Sequence, residues 1–220
     1  MEDRMILPRE SCVVVFQPED GAPVPLLQTL RELAPMEETD LLAEDGAGRT
    51  LMIKAGADAG EIAEFAMALI GTLEAEAGLR LRAGISEVHH RPEEWPAGYR
   101  EALEALETGA RFHRKSPVQL YGRQTLERLM ARMDPETTEK VRRRYLGDRA
   151  AEILTDEVRE TAEFLFEADL NLSVAARQMF VHRNTLTYRL DKIQRETGLD
   201  LRRFQDAMIF RLLTLMPEGE

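Results

Sequence analysis

Residues 172–193, LSVAARQMFVHRNTLTYRLDKI, constrain the fold of this chain more than any other stretch. Leu186, Leu190 and Ile193 recur at i, i+4 and i+7, the spacing of one buried helical stripe. At about 100° per residue the opposite face falls to Asn184, Tyr188, Asp191 and Arg195, with Thr187 and Lys192 on its flanks. Upstream, Leu172 and Ser173 open a first short helix, with Ser173 the expected N-cap. The Ala175 and Ala176 pair lacks bulk, so a second helix can cross closely there. Phe180 and Val181 are expected to fill the turn, and the second helix starts near Arg183 or Asn184. His182 and Arg183 then stand at its leading end. Two helices so joined make a helix-turn-helix, which presents the leading end of its second helix to base edges in a DNA groove. The stripe alone also suits an amphipathic hairpin whose charged face is merely solvated.

The wider spacing narrows the choice. Ala175, Ala176, Val181, Arg183, Thr185, Leu186, Arg189 and Leu190 stand in the pattern of the Fis-family DNA-binding helix-turn-helix, which the segment resembles. The run HRNTLTYRLDKI followed by TGLDL is still more similar to the C-terminal helix-turn-helix of PucR/CdaR-type bacterial transcriptional regulators, over roughly 155–216.

Charge is distributed in keeping with that resemblance. The 220 residues carry a net −11, yet residues 171–216 hold eight Lys and Arg against four Asp and Glu, a local +4. Such asymmetry is a hint of nucleic-acid contact at one end. Arg142, Arg143 and Arg144 form a second basic cluster, of a kind more often solvated than bound to phosphate. No run reaches the roughly 18 apolar residues of a membrane span, and MEDRMILPRE lacks a signal-peptide core. A cytoplasmic protein without membrane contact is expected. Cys12 is the only cysteine, so no intrachain disulfide can form; within CVVVF it reads as a small buried hydrophobe.

Along the chain, CVVVFQ (12–17) reads as a buried strand and PEDGAPVP as a turn. Leu26, Leu27, Leu30 and Leu33 give a helix ending before Pro35. TDLLAED and RTLMIKA, separated by Gly46, Ala47 and Gly48, read as a hairpin. Asp58 caps a helix over 59–77 that Gly78 stops. LRLRAGISEV (79–88) is a strand with Leu81, Ala83 and Ile85 on one face. A loop through Trp95 and Pro96 leads to the helix GYREALEALETGARF, and PVQLYG (117–122) is the last strand. From about Gln124 only helices follow, one begun by Leu126, Leu129 and Met130, one by Pro135 after Asp134, and one capped by Thr155 or Asp156 that packs through Val158, Ala162, Leu165 and Phe166. Phe204, Met208, Leu212 and Leu215 are the expected stripe of a final helix, widened by Ala207 and by 210–213, a width that hints at dimerisation.

The order β-α-β-β-α-β-α-β predicts an α+β fold with a mainly antiparallel sheet and flanking helices, followed by an all-α helix-turn-helix domain. The hairpin, RAGIS, and GYREALEALETGARF with PVQLYG resemble the GGDEF-like domain that PucR/CdaR-type regulators place ahead of their helix-turn-helix. The expected division is 1–123 for that domain, 124–154 for a helical connector and 155–220 for the DNA-binding domain.

What the resemblance implies about chemistry can be tested on the residues. Active GGDEF enzymes hold Mg²⁺ with carboxylates, some of them on the hairpin, but here that hairpin reads Ala47, Gly48, Arg49, Thr50, Leu51. Neither Arg49 nor Thr50 is a hard-cation ligand of that kind. Glu19 and Asp20 lie too far past the first strand, beside Gly21 and Pro23, to look like a metal pair. The domain is therefore read as catalytically silent, with no cofactor and no metal expected, though a residual nucleotide or effector pocket remains an alternative. Adjacent His89 and His90 would point apart and share no metal. His113 falls near a helix C-terminus, where a partly charged imidazole is mildly favoured.

For DNA the resemblance implies Arg183 as the first base contact, because a guanidinium can take guanine O6 and N7 in a bidentate fork. His182, Asn184 and Thr187 are the next base-edge candidates, within a recognition helix of about 183–196. Thr185, Tyr188, Arg189, Lys192, Ser173 and Arg177 are expected at phosphates. Asn184 is equally well placed to be only the N-cap, and Arg189 lies near enough to the apolar stripe to pair with a carboxylate of its own domain. One helix reads few base pairs, so a homodimer is expected. The other reading is a module for a small-molecule effector or partner protein, with the helix-turn-helix as its docking surface. Proteins of this kind usually carry a sensor region ahead of the GGDEF-like domain. Sensing is expected here of the first domain, of a partner, or of a longer chain.

Overall fold

Five consecutive residues, Cys12 to Phe16, are fully buried, and the fold of the first half follows from why. They form the middle of β1 (Ser11–Pro18), which is paired on both edges and covered on both faces. A continuous apolar run suits such a strand; alternation would leave one face wet. A computed structural model describes residues 7–19, 25–113 and 116–216. Asp20, Gly21 and Pro23 lie outside the described residues.

The chain divides into two units, Met1–Arg128 and Leu129–Glu220. In the first, α1 (Leu26–Leu33), β2 (Leu41–Glu44), β3 (Thr50–Ala55), α2 (Ala59–Ala77), β4 (Leu81–Ile85), α3 (Trp95–Phe112) and β5 (Val118–Leu120) follow β1. The sheet order is β2-β3-β1-β4-β5, antiparallel except for the parallel β4–β5 edge. Cys12, Val14 and Phe16 face one core, built with Leu26 and Leu30 of α1 and with Ile62, Ala66, Leu69, Ile70 and Leu73 of α2. Val13 and Val15 face the other, against Ala102 and Leu106 of α3. The expected face of Leu81, Ala83 and Ile85 holds, since all three share the first core, but β4 covers only the middle of the 79–88 run. Asp58 caps α2 by accepting from the Gly60 amide, and Gly78 ends it at φ +65. A Cβ at Gly84 would lie 2.0 Å from the Ala102 carbonyl oxygen, so the approach of α3 to β4 requires glycine there.

Two readings shift. Trp95 and Pro96 are not loop but the opening of α3, where a proline's missing N–H costs nothing. The Trp95 indole donates to the Ser11 hydroxyl at 3.0 Å, which anchors that end of the helix to β1. The strands of the hairpin and β5 are also shorter than the runs that suggested them.

The division between units falls inside α4 (Thr125–Ala131). Beyond it come α5 (Pro135–Leu146), α6 (Ala150–Ile153), α7 (Asp156–Glu167), α8 (Leu172–Gln178), α9 (Arg183–Thr197) and α10 (Phe204–Leu215). Asp134 caps α5 with Pro135 in its first turn, and Thr155 caps α7. Both α5 and α6 contact α9, so most of the segment expected as a connector belongs to the helix-turn-helix core. That core gathers Val158, Ala162, Leu165, Ala175, Ala176, Leu186, Leu190 and Ile193 with Leu199, Leu201, Ala207, Phe210 and Leu213. The stripe expected on α10 is turned from the observed one. Ala207, Phe210, Leu213 and Leu215 are buried, whereas Phe204 is 74 % and Met208 49 % exposed.

Candidate nucleic-acid interface

The cap of α8 is Asn171, not Ser173: its Oδ1 accepts from the Ser173 and Val174 amides at 3.1 and 3.2 Å. Ser173 therefore sits in the first turn with its side chain exposed, and Arg177 is exposed at the last. Buried Ala175 and Ala176 lie where α8 meets its neighbours, as their small size requires. Phe180 does not fill the turn. It holds φ +55 and is 96 % exposed, while Val181 is only half-buried.

His182 is the N-cap of α9, a role not expected of it. Its Nδ1 accepts from the Asn184 amide at 3.2 Å, which leaves Nε2–H as an outward donor. Asn184 is therefore freed from capping, and its side chain is exposed beside Arg183 and Thr185. The Thr187 hydroxyl donates to the Arg183 carbonyl at 3.0 Å, so toward any ligand its oxygen can only accept. Tyr188 is 64 % exposed with the Arg195 guanidinium 6.0 Å from its ring centre, and Lys192 is exposed one turn on.

Cations of this unit separate into two sets. Arg189 points inward: one nitrogen lies 3.0 Å from Glu157 Oε1 and another donates to the Thr161 hydroxyl at 3.3 Å. It clamps α9 to α7. Arg202, which sequence reasoning overlooked, bonds Asp191 at 2.8 Å, Asp200 at 2.5 Å and Gln194 at 2.8 Å. Its charge neutralises Asp191, the one acid expected on the outer face of α9. The only sequence signal was the Arg202 and Arg203 pair after TGLDL. Among the described residues, Arg177, Arg183 and Lys192 form no ion pair, and each is exposed. Arg142 and Arg143 pair with Glu139 at 2.7 and 2.8 Å; Arg143 and Arg144 are exposed as expected of a solvated face, whereas the Arg142 side chain is largely covered.

The hairpin of the first unit has a different economy of charge. Asp45 Oδ2 takes the Arg49 guanidinium at 2.6 Å and the Tyr99 hydroxyl at 2.7 Å, and Oδ1 takes the Ala47 and Arg49 amides at 2.9 and 3.0 Å. Burial works to raise the Asp45 pKa, but the Tyr99 and Arg49 bonds and the two amides outweigh it and hold it at about 2. Thr50 is fully buried, its hydroxyl oxygen without a hydrogen-bond partner. Neither Arg49 nor Thr50 offers a carboxylate to a hard cation there, and both Asp45 oxygens already accept two hydrogen bonds each. Glu19 pairs with Arg82 at 3.1 Å. His89 turns to Glu101 at 3.1 Å and His90 to Glu10 at 3.3 Å, so the two rings serve different carboxylates. No group of three or more His, Cys, Asp or Glu suited to a metal occurs among the described residues. Burial, followed by the fields of Glu87, Glu101 and Asp58, pushes the Cys12 thiol up to about 12. Likewise, no helix among the described residues is long and apolar enough to cross a membrane.

Family comparison matches both halves of this description. Residues 6–108 match a GGDEF-like domain and residues 158–215 the PucR C-terminal helix-turn-helix domain. The chain is 27 % identical over 134 residues to the purine catabolism regulatory protein of Bacillus subtilis, a match covering 60 % of this chain and 25 % of that one. It is 34 % identical over 61 residues to the carbohydrate diacid regulator of Escherichia coli, covering 28 % and 16 %. With an uncharacterised protein of Bacillus subtilis it shares 31 % identity over 85 residues, covering 37 % and 29 %. The matches thus span less than a third of each relative's length. A GGDEF-like domain followed by a PucR C-terminal helix-turn-helix domain makes this chain a protein of the PucR/CdaR regulator type.

Proposed function

We propose that this chain is a transcriptional regulator that binds double-stranded DNA sequence-specifically, as a dimer, with α9 in the major groove. The observation that carries the reading is the leading end of α9, where His182, Arg183, Asn184 and Thr185 are all exposed and Arg183 has no internal anion. Arg183 suits a guanine O6/N7 fork, the Asn184 amide an adenine edge, and the His182 Nε2–H a purine N7. Thr187, able only to accept, suits an amino-bearing base. Thr185, Tyr188 and Lys192 along α9, with Ser173 and Arg177 on α8, suit phosphates. Arg189 is assigned to holding α9 in place, because leaving Glu157 for a phosphate would exchange one charge-assisted bond for another. The names of the relatives support regulation as the outcome of binding.

The GGDEF-like domain acts in this reading without catalysis. Arg49 is spent on Asp45, and Thr50 replaces a carboxylate with a buried hydroxyl.

Selection of bound sequences from a random duplex pool, at two salt concentrations and for the wild type and Arg183→Ala, tests the proposal. A motif repeated with two-fold symmetry, degraded in the variant, is the expected result. Binding without any motif, or a motif indifferent to Arg183→Ala, would remove α9 as the reading helix.

A further inference from the structure

Helices α2, α7, α8 and α9 end on the same device, a residue in the left-handed region whose amide closes the last turn. In α2 and α9 it is a glycine, Gly78 at φ +65 and Gly198 at φ +76, with no Cβ to clash. In α7 it is Asp169 at φ +50, followed by Leu170 at φ +62. Asp is a residue type that visits this region, and Leu170 is half-buried, so packing offsets its strain. In α8 it is Phe180, at φ +55. The Phe180 amide donates to the Arg177 carbonyl at 3.1 Å and the Val181 amide to the Ala176 carbonyl at 2.9 Å, so the helix end itself imposes that backbone. The Phe180 ring is 96 % exposed. A bulky residue in a conformation that disfavours it, and that its own fold leaves uncovered, is strain kept for a use outside the fold.

The surroundings of the ring name what covers it. Exposed Arg177 precedes it on α8, and exposed His182 and Arg183 follow it at the start of α9. Residues 170–190 include no Asp or Glu, so the ring stands among cations and amides with no carboxylate to repel an anion. The DNA major groove matches that mixture, with phosphates along its rims and a thymine C5 methyl at every A·T pair. We infer that Phe180 packs against a thymine methyl at the base pair beside the one that Arg183 reads. This contact presupposes the proposed DNA reading and adds to its polar groups a sensor for one apolar atom.

Affinity of the full chain for the selected duplex, with each thymine of a half-site replaced in turn by uracil, tests this for wild type, Phe180→Gly and Phe180→Asn. Uracil pairs as thymine does and lacks only the methyl. At one thymine beside the Arg183 position the exchange should weaken wild-type binding by about fourfold, the worth of one buried methyl group. Both variants should bind the thymine duplex roughly fivefold to tenfold more weakly than wild type and ignore the exchange at that position. Their melting temperatures should rise by about 4 °C, because Gly and Asn accept left-handed backbone. Stability gained while affinity is lost separates a DNA contact from a folding role. Wild type indifferent to every uracil, variants that keep the uracil effect, or a half-site with no A·T pair beside the base read by Arg183 would each overturn the inference. The DNA reading would survive these outcomes through its own test with Arg183→Ala. Variants that both melt earlier would also overturn it, by making the ring a support of the turn. Wild type that selects no duplex would remove the DNA reading itself, and the contact with it.

Discussion

The β2–β3 hairpin and the leading half of α9 are both charged surface, and they treat charge in opposite ways. On the hairpin the acid, the guanidinium and the phenol satisfy one another: Asp45 takes four hydrogen bonds and Arg49 gives two of them. On α9 the Arg183 and Lys192 side chains end in solvent with no internal anion, although Arg189 and Arg202 nearby are fully engaged. A charge closed on itself stabilises a fold, whereas one left open is available to a partner. The catalytic hairpin of an active GGDEF domain belongs to the second kind. In this chain the hairpin's charges belong to the first kind, and those of the leading half of α9 to the second.

The largest expected effect breaks the contrast at its open end. Arg183→Ala should lower affinity for the selected duplex by about 1 to 3 kcal/mol and relax preference at one base position. Stability should change by no more than about 0.5 kcal/mol, since no internal contact is removed. Fluorescence anisotropy and thermal unfolding measure the two effects. A variant that melted early but bound normally would make Arg183 a structural residue and erase the distinction.

At the closed end the expectation concerns pH. Asp45 has its folded pKa held at about 2, below the ordinary 3.8. Its contribution is present above the unfolded value and is lost as pH falls from about 4 toward 2. By linkage that is on the order of 2 kcal/mol for the first unit. Asp45→Asn should remove this part of the acid transition, leaving a protein less stable at neutral pH and less sensitive below pH 4. Urea unfolding at several pH values checks this, and DNA affinity at pH 7 should be unaltered.

How far these contrasts could be read in the sequence depends on separation along the chain. The stripe Leu186, Leu190, Ile193 is local and periodic, and it is buried as the spacing requires. So is the alternation of Leu81, Ala83 and Ile85. The fate of Arg189 was undecidable from spacing, because Glu157 and Thr161 lie 32 and 28 residues away. The same holds for Tyr99 and Asp45, 54 residues apart. In α10 the difficulty was excess signal. Apolar residues at 204, 207–210, 212, 213, 215 and 216 nearly encircle the helix, so periodicity could not say which side packs. At the caps, Asn171 and Ser173 are both good cap formers two positions apart, and a histidine cap has no strong prior. On the hairpin, the lack of a carboxylate at Arg49 and Thr50 is visible in one line of sequence, whereas the closure of Tyr99 onto Arg49 and Asp45 is not.

The smallest effects compare two cations three residues apart on one helix. Arg189→Ala removes a half-exposed pair and one hydrogen bond to Thr161, worth about 0.5 to 1 kcal/mol of unfolding stability. If Arg189 only clamps α9, the dependence of DNA binding on salt should keep its slope. Lys192→Ala should do the reverse, leaving unfolding unchanged while the slope of log affinity against log salt falls by about 0.9, one phosphate's worth of released counterion. Because the two residues share a helix and a charge, any general effect of removing positive charge would appear equally in both variants. A reduced slope in Arg189→Ala alone would mean that the guanidinium leaves Glu157 when DNA arrives, so that closure in the free protein would be a resting state and not a fixed assignment.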